Sequence, residues 1–174
     1  MSAEPTTPAH DWRADRVRSA LAGTIPTVLA HLGAAFAVIG DVQFLPGYCV
    51  ALTDTPGADR LTDLPRARRH RFLADVEILA EAVERVCTER DRGFRRVNIE
   101  ILGNRDPFLH AHVWPRFDWE PPELLQRPVW AYPSRRWADP ETALGDGHAE
   151  LRRSLTDELL RLRASEPAIA GADS

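Results

Sequence analysis

The stretch that most constrains this chain runs from Arg96 to Phe117. Val97, Ile99 and Ile101 alternate with Asn98 and Glu100, Gly103-Asn104-Arg105-Asp106-Pro107 has the composition of a turn, and Phe108–Phe117 alternates again. Period two is the pattern of a strand, because successive side chains leave a pleated sheet on opposite faces. Two such runs around a short Gly/Pro-containing linker predict an antiparallel pair. In the second run Leu109, Ala111 and Val113 fall on one face, and Phe108, His110, His112 and Trp114 on the other. His110 and His112 thus share a face, with Cα atoms about 6.5–7 Å apart, and the turn is expected to bring Asn104 close to them.

The remaining pattern supplies a core for that pair. Phe72, Val76, Leu79, Val83 and Val86 recur at spacings of four and three. That is the apolar stripe of an amphipathic helix, expected over Leu61–Val86 with Asp63 as its cap. Two further short strands are expected at Ala34–Gly40 and Tyr48–Leu52, joined by a loop that ends in Pro46-Gly47. Asp11–Leu21 reads as a short helix, and His148–Arg163 as a closing one with Leu151, Leu155, Leu159 and Leu162 inward. With 174 residues in all, the expectation is one domain over residues 11–165, a disordered tail at 1–10 and a flexible tail at 166–174.

Charge and composition exclude some classes of function. The 22 Lys+Arg against 26 Asp+Glu give a net charge of −4, which argues against a nucleic-acid coat. The best apolar run, Ile25–Ile39, is interrupted by Pro26, His31 and Gly33, so no membrane partner is expected. Met1–His10 lacks the layout of a signal peptide. Cys49 and Cys87 form no framework and no zinc spacing, so they read as buried free thiols in a cytoplasmic protein.

The His-x-His pair admits three readings: ordinary strand histidines, two ligands of a metal site whose third ligand is distant, or a nucleophile beside a group that binds developing charge. Gly103 and the amide of Asn104 suit close approach to an anion, and Arg105 and Arg116 flank the histidine face as cations for a phosphate. These residues favour phosphoryl chemistry, although a lone Arg is more often a solvated surface group. Trp114, Trp119, Trp130 and Trp137 gather with Tyr132 in the last third. Core or dimer packing outweighs base stacking for most of them, and the Pro- and Trp-rich stretch 118–136 is expected to wrap over the domain. The basic run Arg66–Arg71 reads as the wet side of its helix, and His31 has no evident partner.

The series from Asn98 through Leu102-Gly103-Asn104, Pro107, His110-Ala111-His112 and Pro115-Arg116 resembles the signature of the histidine triad superfamily, in its bacterial diadenosine tetraphosphate hydrolase-like branch. The likeness covers roughly residues 34 to 132. It implies an α+β fold: an antiparallel sheet of about five strands, a central packed helix and extra terminal helices, assembled as a homodimer. It also implies a nucleotide phosphohydrolase or nucleotidyl transferase, acting on dinucleoside polyphosphates or nucleoside phosphoramidates, with no metal or other cofactor. Carried over by position, His110 is the nucleophile that forms a covalent nucleotidyl-histidine, and His112 bonds the transferred phosphate. Gly103 and Asn104 lie at the phosphate, Asn98 frames it, and Asp41 takes the ribose hydroxyls. The sequence departs from the family where Phe108 stands for the first histidine. Tyr48 replaces a histidine that steadies the nucleophile, and Asp54 lies near the place of a lysine. Those departures keep a second reading open, a nucleotide-binding protein with weak or lost catalysis.

Overall fold

The computed structural model describes residues 11–165; the tails expected at 1–10 and 166–174 lie outside the described residues. A five-stranded antiparallel sheet organises them, with strands β1 Val28–His31, β2 Ala35–Ile39, β3 Cys49–Thr53, β4 Phe94–Glu100 and β5 His110–Phe117 in the order β1-β2-β3-β5-β4. The α+β class expected from the sequence is the class observed.

One face of the sheet is sealed by α2, Arg66–Arg90, whose Phe72, Val76, Leu79, Val83 and Val86 are all buried. Each such side chain removed from water contributes about 1.5–3 kcal/mol. Helix α5, Ala149–Ser165, packs on α2 with Leu151, Leu155, Leu159 and Leu162 inward. The opposite face carries α1, Arg16–Leu21, whose Val17 and Ala20 cover Phe36, Val38 and Leu52. The segment after β5 covers the rest of that face, with short helices α3, Pro122–Leu125, and α4, Ser134–Trp137. It wraps over the sheet as its composition suggests.

Three expectations are corrected. The helix expected from Leu61 is divided: Leu61–Asp63 form a single tight turn and Pro65 caps α2. Asp63 accepts the N–H groups of Asp59 and Arg60, so it closes that turn rather than the helix. Strand β1 was not among the expected strands. Three of its residues are only partly buried and His31 is exposed, and its place is secured from afar by Asp75 of α2, which accepts the N–H groups of Gly33 and Ala34 in the β1–β2 turn. The two cysteines are free and buried, as expected.

Two glycines place the site. Gly47 has a φ of +102°, which an L side chain rarely adopts, and it turns the chain into β3. Gly40 lies under the ring of Tyr48, so close that a Cβ there would come within 2.1 Å of a ring carbon. Without that bare backbone Tyr48 could not lie where it does.

Candidate active site

The face of β5 that carries His110, His112, Trp114 and Arg116 is buried throughout. His110 and His112 are 5% and 7% exposed, and their Nε2 atoms meet at 3.1 Å. The outer nitrogens are both engaged. His110 Nδ1 lies 2.8 Å from the carbonyl oxygen of Phe108, and His112 Nδ1 lies 2.8 Å from the hydroxyl of Tyr48.

With both rings neutral, the distances fix the protons by elimination. A carbonyl only accepts, so His110 carries its hydrogen on Nδ1 and its Nε2 bears a lone pair. The facing Nε2 of His112 must then donate, which leaves His112 Nδ1 as an acceptor for the Tyr48 O–H. Burial, with the neighbouring His110 adding to it, pushes the His112 pKa down to about 3, so the ring is neutral. Burial also drives the Tyr48 pKa well above its ordinary value, so the hydroxyl keeps its proton. The result is a directed chain from Tyr48 through His112 to His110, ending on a backbone carbonyl.

Tyr48 steadies His112, not the nucleophile candidate His110. His110 is oriented by the main chain of Phe108, an interaction that does not depend on the side chain at 108. The Phe108 ring lies 5.0 Å from His110 and joins the apolar cluster of Val17, Ala20 and Leu52. Trp114 is sandwiched beneath Tyr48 at 3.5 Å, and its buried indole N–H has no partner among the described residues.

The other expected residues are distributed unevenly around this pair. Asn98 stands opposite Trp114 in the β4–β5 ladder, half-buried and on the histidine face. Gly103 and Asn104 lie in the exposed turn, where Asn104 makes no hydrogen bond to either histidine and a Cβ at Gly103 would meet nothing within 4 Å. Asp41 is engaged by Arg16 at 3.1 Å and by Arg13 at 3.9 Å. Arg116 does not offer its charge to the histidines. It is 3% exposed, pairs with the buried Glu120, and donates to the carbonyls of Leu124 and Arg127. Tyr132 also donates to Glu120, so this buried network anchors the segment after β5.

Sequence reasoning missed Glu100 and Glu120. Glu100 faces His112 in the ladder and accepts the indole N–H of Trp130 at 2.9 Å. Its only sequence signal was the alternation that placed it on the face of Asn98. His31, left without a partner, bonds Asp54 at 3.1 Å. Among the described residues no cluster of three or more His, Cys, Asp or Glu side chains is placed to hold a metal.

A scan against protein-family models and a search of curated proteins return no match. Solved structures do match. A histidine triad protein from Marinobacter aquaeolei VT8 superposes with a TM-score of 0.57 at 20% identity, covering 78% of this chain and 89% of that one. One from Bradyrhizobium japonicum gives 0.60 at 18% identity, with the same coverages of 78% and 89%. The fold is that of the histidine triad proteins. A hypothetical histidine triad nucleotide-binding protein from Sulfolobus tokodaii shares this histidine triad fold at a TM-score of 0.59 and 11% identity, covering 84% of this chain and 93% of that one. Within the histidine triad fold of this chain, the histidine strand β5 lies between β3 and β4.

Proposed function

We propose that this chain is a cytoplasmic nucleotide hydrolase or nucleotidyl transferase of histidine triad type, of the diadenosine tetraphosphate hydrolase-like branch, with His110 as nucleophile. The observation that carries the reading is the contact of the buried histidine pair, Nε2 to Nε2 at 3.1 Å; in the neutral pair it leaves a lone pair on His110 with a donor beside it. In the first step that lone pair forms a bond to the α-phosphorus of a dinucleoside polyphosphate or nucleoside phosphoramidate. The bond to the leaving group breaks and its electron pair departs with that group, which leaves as a polyphosphate anion or, with a proton taken up from solvent on its nitrogen, as an amine. His112 Nε2–H turns from His110 to a non-bridging phosphate oxygen, where a donor gains strength as charge builds up. The Phe108 carbonyl, holding Nδ1–H, stabilises the positive charge that develops on the imidazole. Water then attacks the phosphorus and gives up a proton to solvent, and the P–N bond breaks with its electron pair returning to Nε2, which restores the neutral ring.

Asn98, Gly103 and Asn104 frame the transferred phosphate in this proposal, and Asp41 leaves Arg16 to take the ribose hydroxyls. The route uses no cofactor. The name of the Sulfolobus relative, a nucleotide-binding protein, is consistent with the substrate class. A homodimer joined along β4 suits the same reading, since β4 is a sheet edge and Ile99 and Ile101 beside it are 48% and 41% exposed.

Mass spectrometry of enzyme quenched during turnover of diadenosine tetraphosphate is expected to show an AMP adduct on His110. An adduct on another residue, or turnover without an adduct in rapid-quench samples, overturns the assignment. The second reading, binding with weak or lost catalysis, is favoured by one observation: the pair is closed, with both rings nearly inaccessible. AMP binding without turnover of either substrate class decides for it.

A further inference from the structure

Trp130 stands on edge beside the histidine pair. Its ring centroid lies 5.0 Å from that of His112 at 75°, and 5.8 Å from that of Trp114 at 86°. Trp137 covers one face of the indole, parallel within 2° at 4.9 Å. Trp114, beneath, is almost equidistant from the two indoles, at 5.8 and 5.7 Å, so it lies under the gap between them. His112 comes two residues earlier on the same face of β5 and meets Trp130 without meeting Trp137. The series Trp137, Trp130, His112 therefore advances along β5 toward His110. Trp130 is thus the member of the stacked pair that adjoins the dyad, in a T-shaped contact with His112.

The indole is held in place and still partly open. The indole N–H donates to Glu100, which fixes the rotation of the ring and ties it to β4. The Arg116–Glu120–Tyr132 network fixes the segment on either side. Yet Trp130 remains 44% exposed although three aromatic rings touch it. A tryptophan that served only to fill the interior would bury both faces. This one leaves part of a rigid π surface open beside a site where a phosphate is proposed to sit.

We infer that Trp130 determines specificity: the exposed part of its indole, beside the dyad, is the seat on which a flat heteroaromatic ring of the substrate stacks while the phosphate lies at His110. The inference rests on the nucleotide reading above. The ring belongs either to the nucleoside that is transferred or to the leaving group, and the same stacking chemistry serves both. Stacking of a base on an aromatic side chain is tolerant of base identity and changes affinity by about 5- to 150-fold. The seat thus selects for a flat ring over an aliphatic group, with little discrimination between bases.

Two arms separate the sources. For the transferred nucleoside, calorimetric binding of AMP and of ribose 5-phosphate is compared in the non-reacting His110→Ala chain, with and without Trp130→Leu. For the leaving group, kcat/KM is compared for AMP phosphoramidates of tryptamine and of ammonia, in chains with and without Trp130→Leu. A preference for the flat ring of at least 5-fold is expected in one arm, falling below 2-fold in Trp130→Leu. Trp130→Phe keeps an intermediate preference, and Glu100→Gln, whose side-chain carbonyl still accepts the indole N–H, keeps most of it. Preferences in both arms that are absent, or that survive Trp130→Leu unchanged, overturn the inference while the nucleotide reading stands. If neither AMP nor ribose 5-phosphate binds and neither phosphoramidate turns over, the nucleotide reading fails and the inference falls with it.

Discussion

Two histidine pairings share one row of the sheet and meet opposite chemistry. His31 of β1 stands opposite Phe36, Phe36 opposite Leu52, and Leu52 opposite His110 of β5. At the edge, His31 is half-exposed, stacks on Phe36 at 4.3 Å and bonds the Asp54 carboxylate, which Arg68 also holds. In the centre, His110 and His112 are buried, and their partners are each other, a phenol and a backbone carbonyl. Burial alone pushes Asp54 up, but the hydrogen bonds from His31 and Arg68 outweigh it and hold the carboxyl below its ordinary range. Charge is thus accommodated at the edge and excluded in the centre. The difference teaches that the same residue type bonds a carboxylate where water reaches it, and that burial holds it neutral at His112, where neither is present.

The largest test of this contrast is catalytic. His110→Ala is expected to lower kcat by about 10⁴-fold or more, as loss of a nucleophile does, whereas His31→Ala leaves kcat within about 2-fold in the same assay. An equal loss in both variants breaks the comparison.

Stability against acid comes next. The His112 pKa is lowered to about 3 in the folded chain, against 6.5 for an ordinary histidine. Between those values the unfolded chain binds a proton that the folded chain refuses, so stability falls as pH drops from about 6.5 to 3 and the loss levels off below that. The loss is on the order of a few kcal/mol. Urea midpoints at pH 7 and pH 4.5 measure it, and His112→Asn flattens the dependence across that window. An unchanged slope in the variant means the ring is not held neutral.

Tyr48→Phe sharpens the account of the central pair. It leaves His112 Nδ1 buried without a donor, at a cost of about 1–3 kcal/mol in unfolding free energy. It also leaves the His112 tautomer to be set by His110 alone, so imidazole ¹⁵N shifts are expected to keep the proton on Nε2. Protonation spreading to Nδ1 in Tyr48→Phe would mean that the phenol, and not His110, directs the tautomer.

Much of this contrast was legible in the sequence, on one side only. The period-two run that contains His110 and His112 gave their shared face, and the four-three spacing of Phe72 to Val86 gave the helix beneath. Both are local patterns that depend on one element at a time. The turn from Gly103 to Pro107 was legible as a turn, but its exposure was not, because the ladder pairs Glu100 with His112 and leaves the turn reaching beyond the sheet. His31 was illegible for a different reason. Its partner Asp54 is 23 residues away, and the strand β1 is held by Asp75 of a distant helix. Arg116 looked like a cation for a phosphate because nothing in its neighbourhood foretold that Glu120 would fold under it and leave both side chains buried. Pairings across elements follow from packing, and packing is written in no single segment.

The smallest expected effect lies at the edge. Asp54→Asn keeps the shape of the side chain and removes the charge that His31 and Arg68 share. Arg68 is 40% and His31 52% exposed at the side chain, so solvent screens much of the attraction, and the cost at pH 7 is about 1 kcal/mol. The sign follows from the lowered carboxyl pKa. The stabilisation is fully present above the unfolded value of about 3.9 and is lost as pH falls through the lower folded value. Native chain and Asp54→Asn should therefore differ in melting temperature at pH 7 and converge toward pH 2, below the window in which His112 acts. Since the edge cluster and the central pair share no hydrogen bond, the effects of Asp54→Asn and Tyr48→Phe are expected to add within about 0.5 kcal/mol. A larger coupling between them would mean that the row across the sheet transmits strain from the edge to the dyad, and the two pairings could no longer be treated as separate devices.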